Sequence, residues 1–369
     1  MKNICVIFGG KSVENEVSVI TANQVLQNID KGKYKIFPVY IDKKGCFWTG
    51  KNYDKIETFK FFKPKNHHQI IFQANSGGIF IKKKFVKIDC CLVCCHGTGG
   101  EDGSLQGLLN IINVPYTCCG VEASAVCMNK ILMKKLFQYY NLPITEYQII
   151  NKDTYKLLDN ADIKIKYPIF VKPANLGSSV GINKCNNFEQ VQNAINIAFY
   201  FDNQVLLEQG VENLVEYNCS TMKINNKIEA SQIEQPHAWS EFLNFDDKYI
   251  RKGKKFGRKI NQAKIGIRLE QKIKDMAIFV HKELGLEGVV RTDFLYDKVN
   301  KKLYINEINT IPGSLSYYLW KSHKISFKDL ITNLIDDAIE RKHKFENVIT
   351  SYNSKIFDKH IKTWFACNF

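Results

Sequence analysis

The sequence has no apolar run long enough to cross a bilayer, and this absence excludes the helical class of membrane protein. Its first ten residues, MKNICVIFGG, lack the apolar length and the small-residue cleavage site of a secretory signal. There is also no internal repeat and no low-complexity linker. At 369 residues the chain predicts roughly two or three globular domains, with no membrane among its partners.

Acidic residues are in short supply: 37 Asp and Glu face 52 Lys and Arg, which leaves a formal charge of +15. A basic surface attracts nucleic acid, anionic lipid or a phosphate-rich small ligand. The densest basic run, RKGKKFGRK at 251–259, motivates a nucleic-acid hypothesis. Stacking aromatics are sparse around it and no nucleic-acid module is visible, so we expect a broadly basic surface and no nucleic-acid partner.

Twelve cysteines without a signal peptide indicate a reducing cytoplasm. Four of them, Cys90, Cys91, Cys94 and Cys95, lie in IDCCLVCCH, which contains one CxxC spacing. One interpretation is a zinc site, but no second CxxC follows at zinc-finger spacing. The other is a strand in which buried cysteine acts as a small apolar residue, and the apolar neighbours favour it.

The first third of the chain alternates strand and helix signals. NICVIFGG is followed by an amphipathic run from Glu16 to about Ile29, by KIFPVYID, by hairpin-like material, by IDCCLVCCH and by a helix through LQGLLNIIN. This order predicts a parallel sheet covered by helices. Ligands bind beyond the carboxyl ends of such strands, which points to the loops at 9–18 and 96–107.

From Ala123 onward the pattern is α+β. A helix carrying Lys130 precedes LPITEYQII, a second helix, a hairpin around VKPANLGSSVG and a further helix and strand. A later hairpin, NCSTMKINNKIEASQIEQ, precedes helices near 268–286 and 327–342. We therefore predict domains at 1–122, 123–212 and 213–345, followed by a tail at 346–369 that has no usable pattern.

One short stretch, RTDFLYDKVNKKLYINEINTIPG at 291–313, combines apolar strands with three oxygen-bearing side chains. Glu307 and Asn309 are two residues apart and project from the same face of a strand. A turn at DKVNKK would fold Asp293 back beside them. The trio is either a solvated polar face on an edge strand or an oxygen-only site for a hard cation such as Mg²⁺.

Two other stretches allow a functional and a structural interpretation. In KPANLGSSVG, Lys172 ends an apolar strand, and the loop after it is either an ordinary turn or a flap that covers phosphate. In VLLEQGVE, Glu208 closes another apolar strand and Glu216 lies eight residues further on. These two carboxylates either contact a nucleotide or form a surface pair.

Seven motifs together resemble the D-alanine–D-alanine ligases of the ATP-grasp superfamily, and the resemblance covers roughly residues 2 to 340. In chain order they are GGKSVENEVS, HGTGGEDGSLQG, GVEASAVCMNK, VKPANLGSSVG, the pair KY at 248–249, RTDF and NEINTIPGS. The resemblance implies an ATP-grasp fold of α/β and α+β type: an N-terminal parallel-sheet domain, a small central domain and a C-terminal domain, with ATP between the last two. It also implies ATP-dependent joining of two D-alanines through an acyl phosphate, which supplies peptidoglycan, in a homodimer.

The resemblance assigns roles by position. Two Mg²⁺ or Mn²⁺ ions would be held by Asp293, Glu307 and Asn309. The implied ATP contacts are Lys130, Lys172, Ser179, Glu208, Val211, Glu216 and Lys248. The first substrate would be anchored by Glu14, with Ser178 and Tyr249 linked to it in a closing loop. The oxyanion donors would be Arg291 and the backbone N–H of Gly313. His96 either contacts the first substrate or is structural.

The chain departs from the family pattern at three places. Tyr318 stands where the family usually carries a Ser that helps to hold the second substrate, and its ring fills space, while Leu319 keeps the neighbouring apolar position. The segment from Glu208 to Glu216 is one residue longer than in the family, and Gln262-Ala263 stands where the family carries a Pro-Ala pair. Lys248-Tyr249 favours an amine acceptor. The alternative function is therefore an ATP-grasp ligase with another acceptor, such as D-serine.

Overall fold

The computed structural model describes residues 1–155, 159–236, 263, 265–345, 348–351, 354 and 356–357. The predicted loop residues Lys248 and Tyr249 lie outside these ranges, as do the basic run at 251–259 and most of the tail. Among the helices of the described part, none is long and apolar enough to cross a membrane.

The first body is a seven-stranded sheet with helices against it. Its elements are β1 (Lys2–Gly9), α1 (Asn15–Asn28), β2 (Tyr34–Ile41), β3 (Phe47–Thr49), α2 (Glu57–Lys60), β4 (His68–Phe72), β5 (Gly78–Ile81), β6 (Lys84–Lys87), β7 (Cys90–Val93) and α3 (Ser104–Ile111). The strand order is β6-β5-β4-β3-β2-β1-β7. The predicted parallel pairing is confirmed for β1 with β2 and β7, whereas the strands from β3 to β6 extend the sheet antiparallel.

The cysteines of IDCCLVCCH are buried on β7, the last strand in this order, and directly after it. Cys90, Cys91, Cys94 and Cys95 are each at most 1% exposed. Burial raises the pKa of all four thiols. They are protonated, apolar packing residues, as the strand pattern predicted.

The second body begins with two helices that lead into a four-stranded antiparallel sheet. Its elements are α4 (Val121–Met128), α5 (Lys130–Tyr139), β8 (Tyr147–Asn151), β9 (Ile169–Pro173), β10 (Asn183–Cys185), α6 (Phe188–Ala198) and β11 (Gln204–Gln209). The strand order is β10-β9-β11-β8, and β9 with β10 forms the predicted hairpin.

The helix predicted between β8 and β9 is wrong for the described residues. The chain forms short 3₁₀ turns at Lys152–Thr154 and Asn160–Asp162 instead. The Asp162 carboxylate accepts a hydrogen bond from the backbone N–H of Asp159 at 2.8 Å. The segment is rich in Asp and Asn, at 153, 159, 160 and 162, and these side chains favour turns over the interior of a helix.

The third body is another antiparallel sheet. Its elements are β12 (Leu214–Ile224), β13 (Lys227–Ala230), α7 (Ile267–Glu283), β14 (Val289–Asp297) and β15 (Lys302–Asn309), with strand order β13-β12-β14-β15. A 3₁₀ segment, Gly313–His323, then leads to α8 (Phe327–Phe345). α8 buries Leu330, Ile331 and Ile335 in the same apolar core as the first sheet. α8 therefore packs against the first body, and the domain boundaries stay a prediction.

Glycine at the end of β1 allows the chain to turn toward α1. Gly9 has φ +91°, and a Cβ there would lie 2.2 Å from the carbonyl oxygen of Ile41. The next residue, Gly10, donates its N–H to the same carbonyl at 2.8 Å. This close approach directs the loop containing Glu14 across the carboxyl end of the sheet.

We predict that His281 makes the protein less stable in acid. The ring is 3% exposed, its Nδ1 lies 2.9 Å from Thr221 Oγ1, and burial lowers its pKa from 6.5 to about 4. The unfolded chain therefore binds more protons below pH 6.5, and stability falls as the pH drops from there toward 4. At about pH 5 the free energy of unfolding is lower by about 2 kcal/mol for this reason.

Replacing the imidazole of His281 tests this prediction. In His281→Gln the difference in unfolding free energy between about pH 7 and about pH 5, measured by urea denaturation, shrinks by about 2 kcal/mol. His68→Gln is the matched control, because His68 is exposed. An equal pH dependence in all three proteins would contradict the prediction.

Candidate active site

The carboxylate hairpin forms as its spacing predicted. β14 and β15 pair antiparallel with Asp293 opposite Glu307. The Asn309 side-chain N–H donates to Asp293 Oδ2 at 3.0 Å, so all three residues share one face. The Asp293 side chain is only 16% exposed, which argues against a solvated edge.

Arg291 lies beside this trio. Its Nε and Nη2 donate to the two oxygens of Asp293 at 2.6 and 2.7 Å, a bidentate arrangement. Burial alone would lower the pKa of the guanidinium, but the charge of Asp293 raises it above its ordinary value. A fixed positive charge therefore adjoins the carboxylates.

The donor set fits a hard cation. Asp293 and Glu307 supply carboxylates and Asn309 supplies a carboxamide oxygen, which are ligand types that Mg²⁺ accepts. In the part of the chain that the structure describes, no group of three or more His, Cys, Asp or Glu is arranged to hold a metal. An ion here would need oxygens from water or substrate phosphate to complete its coordination.

A small cavity of about 60 Å³ joins residues from distant parts of the sequence. Its lining includes five predicted site residues: Glu14, Lys130, Ser178, Glu307 and Asn309. The Ser178 hydroxyl donates directly to the Glu14 carboxylate.

Two glycine loops close on Glu14. A Cβ at Gly97 would lie 2.5 Å from Glu14 Oε2, and a Cβ at Gly177 would lie 2.7 Å from it. Neither position accommodates a side chain without displacing the carboxylate. The Glu14 side chain is thus held between the loop after β7 and the loop after β9.

The predicted phosphate lysines lie on two neighbouring elements. Lys130 begins α5, and its Nζ donates to the carbonyl of Leu176 at 2.6 Å. Burial lowers the pKa of Lys130, although the charge of Glu307 acts against this. Lys172 on β9 donates to Glu208 on β11. The charge of Glu307 acts on both ammonium groups.

The Glu208 side chain is fully engaged with protein groups. It is 2% exposed, pairs with Lys172 and with Lys134, and accepts from the hydroxyl of Thr145. Burial alone would raise its pKa, but the charges of the two lysines hold it well below the usual range. Its predicted contact with an adenine ring stays a prediction.

Three other predicted nucleotide residues lie on different elements. Glu216 is on β12 of the third body, and its charge acts on Lys172. Ser179 is in the glycine-serine loop with φ +59°, and Val211 follows β11 half-buried. Their contacts with a nucleotide and their individual roles stay predictions.

The loop around Gly313 is tethered by residues that sequence reasoning missed. The N–H of Ile311 donates to Glu101 Oε1 at 2.9 Å, and the N–H of Ser314 donates to Thr21 Oγ1 at 3.2 Å. Glu101 Oε2 also accepts from Gly97 at 2.8 Å. The backbone on both sides of Gly313 is therefore fixed by the first body. Glu101 lies within HGTGGEDGSLQG, one of the seven motifs that resemble the family. This motif is the feature of the sequence that could have pointed to Glu101.

His96 belongs to the same tether. It is 3% exposed, and its Nε2 lies 2.8 Å from Thr21 Oγ1. Burial lowers its pKa to about 4, so the ring is neutral near neutral pH. This arrangement supports a structural role and leaves the substrate contact a prediction.

Tyr318 and Leu319 are buried in the 3₁₀ segment. Tyr318 is 5% exposed, and its hydroxyl donates to Glu234 Oε2 at 3.2 Å. Leu319 is fully buried in the core that includes the first sheet. The tyrosine hydroxyl therefore contacts a buried carboxylate that the sequence interpretation did not include.

Comparison with known proteins gives one consistent family. Residues 3–119 match the family model described as D-ala D-ala ligase N-terminus, and residues 136–336 match D-ala D-ala ligase C-terminus. The D-alanine--D-alanine ligase of Thermosipho africanus is 40% identical, over 98% of this chain and 100% of the relative.

Solved structures agree on the fold. The D-alanine-D-alanine ligase from Coxiella burnetii has a TM-score of 0.79 at 26% identity, covering 94% of this chain and 96% of that one. The D-Ala:D-Ser ligase from Enterococcus faecalis also has a TM-score of 0.79, at 29% identity, covering 91% of this chain and 98% of that one.

We predict that Glu101→Ala loosens the loop around Gly313. Burial raises the pKa of Glu101 to about 8, so its carboxyl is mostly protonated near neutral pH. Leaving the N–H of Ile311 without its acceptor costs about 1–3 kcal/mol, so local opening becomes roughly five to a hundred times more frequent. Hydrogen–deuterium exchange at Ile311 should accelerate accordingly. Glu122→Ala, which removes an exposed glutamate on α4, is the control. Unchanged protection at Ile311 in Glu101→Ala would show that the tether does not hold the loop.

Proposed function

The chain belongs to the D-alanine–D-alanine ligase family, and we propose that it joins two D-alanines to D-alanyl-D-alanine with cleavage of ATP to ADP and phosphate. One observation carries this proposal. Glu14, Lys130, Ser178 and Glu307, from four separate segments, line one cavity. A substrate ammonium, nucleotide phosphates and a carboxylate that is to be activated need this mixture of charges in one place.

ATP binding is assigned to the second and third bodies. We place the phosphates against Lys130, Lys172 and, outside the described residues, Lys248, with Ser179 covering them. The base and ribose would be contacted by Glu208, Val211 and Glu216. The support is the set of buried ammonium groups around the cavity, because a buried positive charge requires an anionic partner.

Asp293, Glu307 and Asn309 would hold the Mg²⁺ or Mn²⁺ ions. Such ions offset negative charge on the triphosphate during phosphoryl transfer. Arg291 already donates to both oxygens of Asp293, and so it orients that carboxylate.

The remaining steps follow from residues of the chain. Glu14 binds the ammonium of the first D-alanine, whose carboxylate becomes an acyl phosphate by transfer of the γ-phosphoryl group. The amine of the second D-alanine attacks this carbonyl, and phosphate leaves. Arg291 and the N–H of Gly313 stabilise the tetrahedral oxyanion. Ser178 donates to Glu14. Together with Tyr249, which lies outside the described residues, this link would close the loop over the site and exclude water, which would hydrolyse the acyl phosphate.

We place the reaction in the cytoplasm, in a homodimer that supplies peptidoglycan synthesis. The eleven described cysteines are all free, which suits a reducing compartment. ATP is made and used in the same compartment.

A second candidate function has its own observation. The Tyr318 ring occupies a buried position where the family usually has Ser, and its hydroxyl meets Glu234. This change favours an acceptor other than D-alanine, such as D-serine. An ADP-release assay with D-alanine, L-alanine, D-serine and D-lactate separates the two. No ADP with D-alanine would reject the main proposal, and a strong preference for another acceptor would support the alternative.

Glu307→Gln should abolish turnover while the fold stays near normal. The change removes one negative charge from the proposed metal site and preserves the shape of the side chain. We expect at least about a hundredfold loss of kcat in the ADP-release assay, with an unchanged circular dichroism spectrum. Glu229→Gln, on β13, is the control. Full activity in Glu307→Gln would contradict the metal role.

Tyr318→Ser should shift the acceptor preference toward D-alanine, because the ring no longer fills the pocket. Tyr318→Phe is the matched variant, since it removes only the hydroxyl that donates to Glu234. The kcat/KM ratio of D-alanine to D-serine should rise in the serine variant and stay near the wild-type ratio in the phenylalanine variant. The same ratio in all three proteins would show that this residue does not select the acceptor.

A further inference from the structure

Lys134 makes two buried contacts that no assigned role explains. Its side chain is 2% exposed, its Nζ lies 2.6 Å from Glu208 Oε1 and it donates to Thr145 Oγ1 at 3.0 Å. We propose that Lys134 is a positioning residue of the nucleotide site: it offsets the charge of Glu208, which leaves the charge of Lys172 available to a phosphate. This inference rests on the proposed binding of ATP.

The backbone places these three side chains together. Lys130 and Lys134 are four residues apart on α5, so they lie on the same face of the helix. On the neighbouring strands, Lys172 pairs with Leu206, and Glu208 is two residues further along β11. Lys172 and Glu208 therefore project from the same face of the sheet as diagonal neighbours. The helix face with Lys134 covers that pair.

Each oxygen of Glu208 has its own ammonium partner. Lys134 contacts Oε1 and Lys172 contacts Oε2. Two positive charges thus share one negative charge in a buried site. Because an unbalanced buried charge is costly, the excess positive charge favours an arriving anion.

Lys134 determines how the excess positive charge is distributed between the two lysines. If Lys134 were neutral, Glu208 and Lys172 would form a one-to-one ion pair, and Lys172 would offer less charge to a phosphate. Glu307 and Glu216 also act on Lys172 through their charges. The charge left at this lysine is therefore sensitive to how much of the Glu208 charge Lys134 offsets.

The test compares ligands with and without phosphate in the full-length protein. In Lys134→Met, the Kd for ATP measured by calorimetry should rise about tenfold, while the Kd for adenosine changes less than about twofold. The KM for D-alanine should stay constant. Lys134→Arg should recover most of the affinity for ATP, because the positive charge is retained. Lys135→Met is the matched control, since Lys135 is the exposed neighbour on α5.

The two replacements of Lys134 separate charge balance from packing. Lys134→Met keeps most of the apolar length of the side chain and removes its charge, whereas Lys134→Arg keeps the charge and changes the shape. A packing role predicts that Lys134→Arg weakens the binding of ATP and of adenosine alike. Equal losses for ATP and adenosine in Lys134→Met, no loss for ATP, or no recovery in Lys134→Arg would each overturn the inference.

These outcomes are distinct from those of the proposed function. Turnover of D-alanine by the wild-type protein tests the ligase assignment, whereas the ratio of ATP to adenosine affinity tests Lys134 alone. If the wild-type protein formed no dipeptide, but Lys134→Met still weakened the binding of ATP and spared that of adenosine, the inference about Lys134 would stand. The proposed ligation would then be rejected.

Discussion

The antiparallel register between β14 and β15 is the constraint on which the site depends. It places Asp293 opposite Glu307, and a β-bulge interrupts the pairing between Asp293 and Phe294. The bulge shifts the alternation of side chains, so Ile305 and Ile308 are both buried although they are three residues apart. A slip of one residue would break the match between these isoleucines and the core. The apolar core therefore fixes how Glu307 and Asn309 are presented to the cavity, and the proposed metal and phosphate chemistry would use a register that burial has already set.

Charge balance is the second constraint, and it acts between elements. Asp293 is neutralised by Arg291 on its own strand, whereas Glu208 is neutralised by lysines from a helix and a neighbouring strand. Each carboxylate is paired with a cation whose burial costs desolvation of its own. Asp293 and Arg291 form a one-to-one pair on one strand. Glu208 is shared by Lys134 and Lys172, and this arrangement has a surplus of positive charge. The second arrangement suits a ligand that arrives already negative.

Local chemistry was readable from the sequence where the spacing was short. The two-residue step from Glu307 to Asn309 predicted a shared face, and the turn between the strands predicted the hairpin. The helix expected before β9 failed because the segment is rich in Asp and Asn, which favour turns, and hydrophobic periodicity does not report this preference. Lys134 was visible as the fourth residue after Lys130, but nothing in the sequence placed β11 beneath it. Contacts between distant elements needed the fold.

The loop around Gly313 depends on both ends of the chain. Ser314 donates to Thr21, almost three hundred residues earlier, as part of a tether that Glu101 completes. On the far side, α8 packs on the first sheet, and Arg341 donates to the carbonyl of Tyr116 at 3.0 Å. An N–H that is to meet an oxyanion must be held in place before the charge develops, because ordering it afterwards would raise the barrier. Closing the C-terminal helix onto the N-terminal sheet supplies that order when the protein folds, and so the packing that stabilises the chain also prepares the site.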